Sequence, residues 1–78
     1  MTLTPHEVST INEGRALRVL EMARLHLGTG TQVALARDCY AVASRLYDAA
    51  RYAECRARAL KSLALSVGRT SAVYLAAK

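Results

Sequence analysis

The chain has 78 residues, a net charge of +5, two cysteines, four tyrosines and no Phe or Trp. That length admits one small domain and excludes a catalytic domain joined to a binding domain, and such a chain buries only about 60% of the surface its unfolded form exposes. With 15 Ala, 11 Leu, 6 Val and a single Ile, the core must bring backbones close together or be shared with a second chain.

The most specific local signal opens the chain. Thr4-Pro5-His6-Glu7 joins an N-cap threonine, a proline at the first helical position and a glutamate three residues after the cap, with Leu3 and Val8 placed as a hydrophobic staple. These residues start a first helix at about 5–27, which Gly28 ends. Val8, Ile11, Ala16, Val19, Leu20, Met22, Ala23 and Leu27 share about half of its circumference and are expected to be its buried stripe. Leu17 and Leu25 fall outside that stripe and predict a contact with a dimer mate or partner.

Gly28-Thr29-Gly30-Thr31 reads as a turn, with Thr29 and Gln32 as a second capping box. No Gly or Pro follows until Gly68. One unbroken helix would rotate the stripe of Leu35, Ala36, Cys39, Tyr40, Val42, Ala43, Leu46, Tyr47 and Ala50 by roughly 140° from that of Tyr52, Cys55, Ala59, Leu60, Leu63 and Val67. A turn near 48–51 is therefore predicted, between a second helix at about 31–48 and a third at about 52–67. The two form an antiparallel hairpin whose core is Cys39, Tyr40, Ala43, Tyr47, Tyr52, Cys55, Ala59 and Leu63. Gly68 stops the third helix, and Thr70 or Ser71 caps a short last helix at about 70–77. The expectation is a single all-α domain over 1–78, a bundle of three main helices plus a short C-terminal one.

The run Leu46-Tyr47-Asp48-Ala49-Ala50-Arg51-Tyr52-Ala53-Glu54-Cys55, followed by Ala59-Leu60, resembles one tetratricopeptide (TPR) helical hairpin over about residues 36–68. In that family an Arg-Tyr-x-Glu-Ala segment opens the second helix, and Cys55 stands where the family's small alanine lets the helices touch. Ala43 takes the facing small position. Two positions depart from the pattern, Ala50 where the family has Gly and Gly68 where it has Pro. The resemblance implies a protein-interaction surface with no chemistry attached. A lone repeat must also be covered by the first helix, a dimer mate or a larger partner, since solenoids need about three repeats.

Nothing in the chain assembles a reaction centre. His26, on the apolar side of the first helix, has no orienting carboxylate or nucleophile near it in sequence and reads as a half-buried packing residue. Cys39 and Cys55 face each other across the proposed hairpin and read as small core residues, a disulfide or a metal pair being the lesser alternatives. No Gly-rich phosphate loop, paired carboxylates or nucleophile elbow occurs, so the chain is not expected to be an enzyme or to hold a cofactor.

Residues 1–44 carry four basic and four acidic side chains, whereas 45–78 carry seven basic and two acidic. An acidic partner is therefore expected to contact the second half, through Arg45, Arg51, Arg58, Lys61 and Arg69. Arg56 is expected to anchor a carboxylate of a neighbouring helix or chain. Leu17, Leu25 and Leu65 are the candidate apolar contacts of a homodimer or partner. No apolar stretch reaches membrane-spanning length, and the N-terminal residues lack a secretory signal, which predicts a cytoplasmic protein.

The function these features favour is a small protein-interaction module: an adaptor, a chaperone-like cap or an inhibitor. One alternative is a nucleic-acid-binding regulator using the basic half, although the Gly28–Thr31 turn lacks both the helix-turn-helix spacing and a polar recognition helix after it. A mobile-element or virus-encoded inhibitor of a host complex is the other.

Overall fold

A computed structural model describes residues 2–78. These are all-helical: α1 (Pro5–Leu25), α2 (Val33–Asp48), α3 (Tyr52–Val67) and α4 (Ala72–Ala77). Helix α3 lies in the middle, packed most closely against α2 and next against α1, while α1 and α2 touch little. Transverse extents of 25 and 15 Å fit helices set side by side at spacings of about 8–10 Å rather than a triangular bundle.

The α2–α3 hairpin is held by small side chains. Ala36, Cys39 and Ala43 of α2 and Cys55, Ala59, Ser62, Leu63 and Ser66 of α3 are buried. Small residues let the helix backbones approach, and the Ser62 hydroxyl donates to the Ala36 carbonyl at 2.7 Å across the buried seam. Ser66 donates back to the Ser62 carbonyl at 3.2 Å. Val19 and Leu63 are the largest apolar side chains that are fully buried, each worth about 2 kcal/mol of transfer free energy.

Local chemistry accounts for the helix ends. The Thr4 hydroxyl accepts the Glu7 amide at 3.2 Å, and Pro5 begins α1. Helix α1 ends at Leu25, two residues before the expected position, because His26 leaves helical geometry and its amide tightens onto the Ala23 carbonyl. Helix α2 likewise begins at Val33 rather than 31. The expected second capping box does not form: the Thr29 hydroxyl donates to the His26 carbonyl at 2.7 Å, and Gln32 makes no side-chain cap. At the other end of the chain Ser71, not Thr70, caps α4 by accepting the Val73 amide.

Two expected stripes are corrected. Val8 and Ile11 are 42% and 47% exposed, and the buried residues of α1 are Ala16, Val19, Leu20 and Ala23. The cause is length: α1 has 21 residues against 16 in α3, so at about 1.5 Å per residue it outruns its neighbour by roughly 7 Å. Its first turns project past the bundle, and residues 2–15 are all exposed. The staple partners Leu3 and Val8 accordingly remain open to solvent. On α2, Leu35 and Val42 are exposed, since they point roughly 100° away from the Ala36–Ala43 line that meets α3, and Ala50 lies beyond the helix in the turn and is exposed.

Candidate partner-binding surface

Helix α1 and the start of α3 form the two walls of a groove. Its outer section lies between Leu3, Pro5, Val8 and Asn12 on one side and Tyr52 and Ala53 on the other. The middle section shares Asn12, Tyr52 and Ala53 with the outer one and adds Arg15 and Arg56. In the inner section Arg15, Arg18 and Arg56 meet the last residues of α4, Ala76 to Lys78. The three sections share walls, so they run continuously from an apolar mouth to a basic interior.

Helix α4 fills the inner end. It packs on both α3 and α1, buries Ala77, and lays Val73 and Tyr74 against the core. Arg18 Nη2 donates to the Ala76 carbonyl at 3.2 Å, and Arg56 Nη2 donates to the main-chain oxygen of Lys78. Cationic donors at the carbonyl end of a helix complement its dipole and satisfy groups that have no partner within the helix. Arg56 was expected to hold a carboxylate; its head engages the end of α4 instead. Among the described residues the one side-chain ion pair is Arg51 with Glu54 at 2.7 Å, so no Asp or Glu side chain lies at ion-pair distance from Arg15, Arg18 or Arg56.

The basic residues singled out in the sequence are dispersed. Arg51 precedes the first turn of α3 without a side-chain cap and pairs with Glu54, and Arg69 follows the end of the same helix. Arg45 is exposed on α2, and Arg58 and Lys61 are exposed on α3. Lys61 and Arg69 do share one open cleft with Gly30, Thr31 and Leu65 near the α1–α2 turn. Leu65 is half-buried there, whereas Leu17 and Leu25 are exposed along α1 at 38% and 72%. Arg15 and Arg18 were not singled out. Their spacing from Val8 and Ile11, at 8, 11, 15 and 18, was the available signal, because residues so spaced share one helical face.

The hairpin-core residues lie as follows. Cys39, Ala43, Cys55, Ala59 and Leu63 are buried, and Tyr40, Tyr47 and Tyr52 are half-buried. Both cysteines are free. Burial pushes the Cys55 thiol up from its ordinary value, against a smaller lowering by the Tyr47 main chain. The Tyr47 ring is 5.5 Å from that of Tyr52, and its hydroxyl donates to Glu13 Oε1 at 3.2 Å, tying α2 to α1. Partial burial and the Glu13 carboxylate both raise the phenol. His26 is half-buried at the end of α1. Among the described residues no three His, Cys, Asp or Glu side chains gather into a metal-binding group.

No family model matches the chain, and no curated protein or solved structure is significantly similar to it. Among the described residues no helix is long and apolar enough to cross a membrane.

Proposed function

We propose that this protein is a small protein-binding module that acts through helical surface contacts, as an adaptor, cap or inhibitor, without catalysis. The observation that carries this reading is the uncovered apolar surface: Leu3, Val8, Ile11, Leu17, Leu25, Leu35, Val42 and Leu75 are all exposed on a chain whose core holds few large side chains. Leu3, Val8 and Ile11 gather at the open end of α1, and a grouped, uncovered apolar patch on a small domain favours a protein interface.

The α2–α3 hairpin is of the TPR kind in this reading. Its support is the backbone of the turn, where Ala50, at the family's glycine position, has a φ of 58°. A dimer mate or a larger partner covers the exposed faces, and an acidic partner suits the excess of positive charge. The two free cysteines agree with a reducing, cytoplasmic setting. Dispersal of the basic residues from one end of α3 to the other, with Arg51 already paired, supports protein contact over a phosphate track.

The test is site-specific photo-cross-linking in the native cell, with benzoylphenylalanine placed in turn at Val8, Leu25 and Leu35. Discrete protein adducts from at least one position are expected. Absence of adducts from all three, or salt-sensitive retention on mixed-sequence nucleic acid with adducts only to nucleic acid, overturns the reading. Light scattering decides whether the partner is a second copy.

A further inference from the structure

We infer that the outer face of α1 is the contact surface for a second copy of this chain, the two α1 helices lying antiparallel with their Gly14 residues at the crossing. The inference rests on the protein-binding reading above and names the partner and the register.

The fold sets the face. Helix α1 buries Ala16, Val19, Leu20 and Ala23 against the bundle. At 100° per residue, Ile11, Gly14, Leu17 and Leu25 centre roughly 170° from that line, and all four are exposed. A mate laid along them therefore keeps its own bundle on the far side. Leu3, ahead of the helix, joins the same face, since it shares a shallow concavity with His6, Glu7, Thr10 and Ile11.

Spacing selects a second copy as the occupant. Across a two-fold axis every contact of residue i with j is repeated as j with i. With the axis at Gly14, Leu3 faces Leu25 of the mate, and Ile11 faces its Leu17. Four of the exposed large apolar side chains thus fall into two reciprocal pairs, and Leu25, the most exposed at 72%, enters the mate's concavity at Leu3. Gly14 is the one glycine inside a helix. A Cβ there would meet nothing within 4 Å, so nothing inside one copy requires the poorest helix former short of proline. At a crossing, the missing side chain lets two backbones approach closely.

Charge selects the antiparallel order. The first half of α1, Pro5 to Gly14, carries Glu7 and Glu13 and no Lys or Arg. The second half carries Arg15, Arg18 and Arg24 against Glu21. None of these side chains is in an ion pair among the described residues. Antiparallel pairing lays each acidic half on a basic half and opposes the two helix dipoles, whereas parallel pairing sets like on like. One local conflict remains in this register: Glu7 faces Glu21 of the mate, with the mate's Arg18 one turn away.

That conflict supplies a test that loss of folding cannot imitate. Light scattering of the full chain between about 10 μM and 1 mM is expected to show a reversible dimer. Glu21→Lys, which sets a cation opposite Glu7, is expected to tighten it about threefold or more at low salt although it raises the net charge. Leu25→Glu, present twice in the interface, is expected to weaken it at least tenfold, and Leu35→Glu on α2 to leave it unchanged. Circular dichroism melts confirm that each variant is folded. Mild oxidation of mixed Ile11→Cys and Leu17→Cys chains is expected to give the mixed disulfide. Ile11→Cys alone gives none, because its two copies stand about 9 Å apart along the axis, beyond disulfide reach. A monomer throughout, a dimer unmoved by Leu25→Glu or loosened by Glu21→Lys, or ready disulfides between two Ile11→Cys chains overturns the assignment. If the chain is monomeric and photo-cross-links from Leu25 or Leu35 reach a different protein, the protein-binding reading stands while the dimer falls. No cross-link from any position brings down the reading itself.

Discussion

The Arg51 amide donates to the Leu46 carbonyl at 2.9 Å, closing the turn between α2 and α3 over an alanine in left-handed geometry. With the Ala50 amide on the Tyr47 carbonyl at 3.0 Å, this is the paired 6→1 and 5→2 pattern of a Schellman cap. Left-handed geometry costs an L-residue with a Cβ about 1–2 kcal/mol, part of which glycine returns through its more flexible unfolded chain.

Ala50→Gly is therefore expected to stabilise the fold by about 1 kcal/mol, raising Tm by roughly 4–8 °C for a domain of this size. Ala50→Val is expected to move Tm the other way, because β-branching tolerates positive φ least. Thermal melts followed by circular dichroism measure both. A Tm unchanged in the glycine variant would remove the claim that the turn is strained.

The α1–α2 connection depends on Gly30 for a second reason besides its φ of 79°. A Cβ at this position would stand 2.7 Å from the Ser66 carbonyl oxygen, so the loop rests directly on the backbone at the end of α3. Gly30→Ala must push loop and helix apart and is expected to cost about 2 kcal/mol or more. Gly28 has a similar φ but open space around it. Gly28→Ala should therefore cost only the conformational part, about 1 kcal/mol. Urea unfolding of the pair separates the two contributions, and equal losses would contradict the close approach.

What the sequence made legible was local. The Thr4 cap, the break near Asp48–Arg51 and the small residues of the seam each depend on neighbours a few positions away. The uncovered part of α1 is not of that kind. A helical wheel places Val8 and Ile11 on the same half-circle as Val19, yet only the shorter length of α3 decides that the first two stay exposed. The groove is less legible still, because Arg18 meets Ala76 across 58 positions and Arg56 meets Lys78 across 22. No periodicity within one helix encodes those meetings.

Ser62 gives a direct measure of how tightly the hairpin seam is closed. Its hydroxyl is fully buried and bonds the Ala36 carbonyl at 2.7 Å. Ser62→Ala removes that bond, but the carbonyl keeps its place in the α2 ladder, so the expected loss is only about 1 kcal/mol. Ser62→Val adds bulk where the backbones are close and is expected to cost about 1–3 kcal/mol more through overpacking. Denaturant midpoints measure both. A valine variant as stable as the alanine one would mean the seam has slack.

The alkaline limb of stability is expected to carry the signature of Cys55. Its thiol is fully buried, and desolvation raises it above the ordinary value of 9.0, so the native state holds the proton more tightly than the unfolded chain. The unfolded state therefore binds fewer protons above about pH 9, and stability falls there as pH rises. Below the unfolded value the thiol is neutral in both states and contributes no slope. Tyr47, raised from 10.0, adds a second decline in the same direction at higher pH. Cys55→Ala should flatten the first decline while leaving the second, and Tyr47→Phe should do the converse, in urea unfolding between about pH 8 and 11. The wild-type thiol should also react with a disulfide reagent no faster than the chain opens, because the reactive thiolate is suppressed in the closed seam. Fast reaction of Cys55 at neutral pH, or a pH dependence indifferent to its replacement, would show that the hairpin is not closed around it.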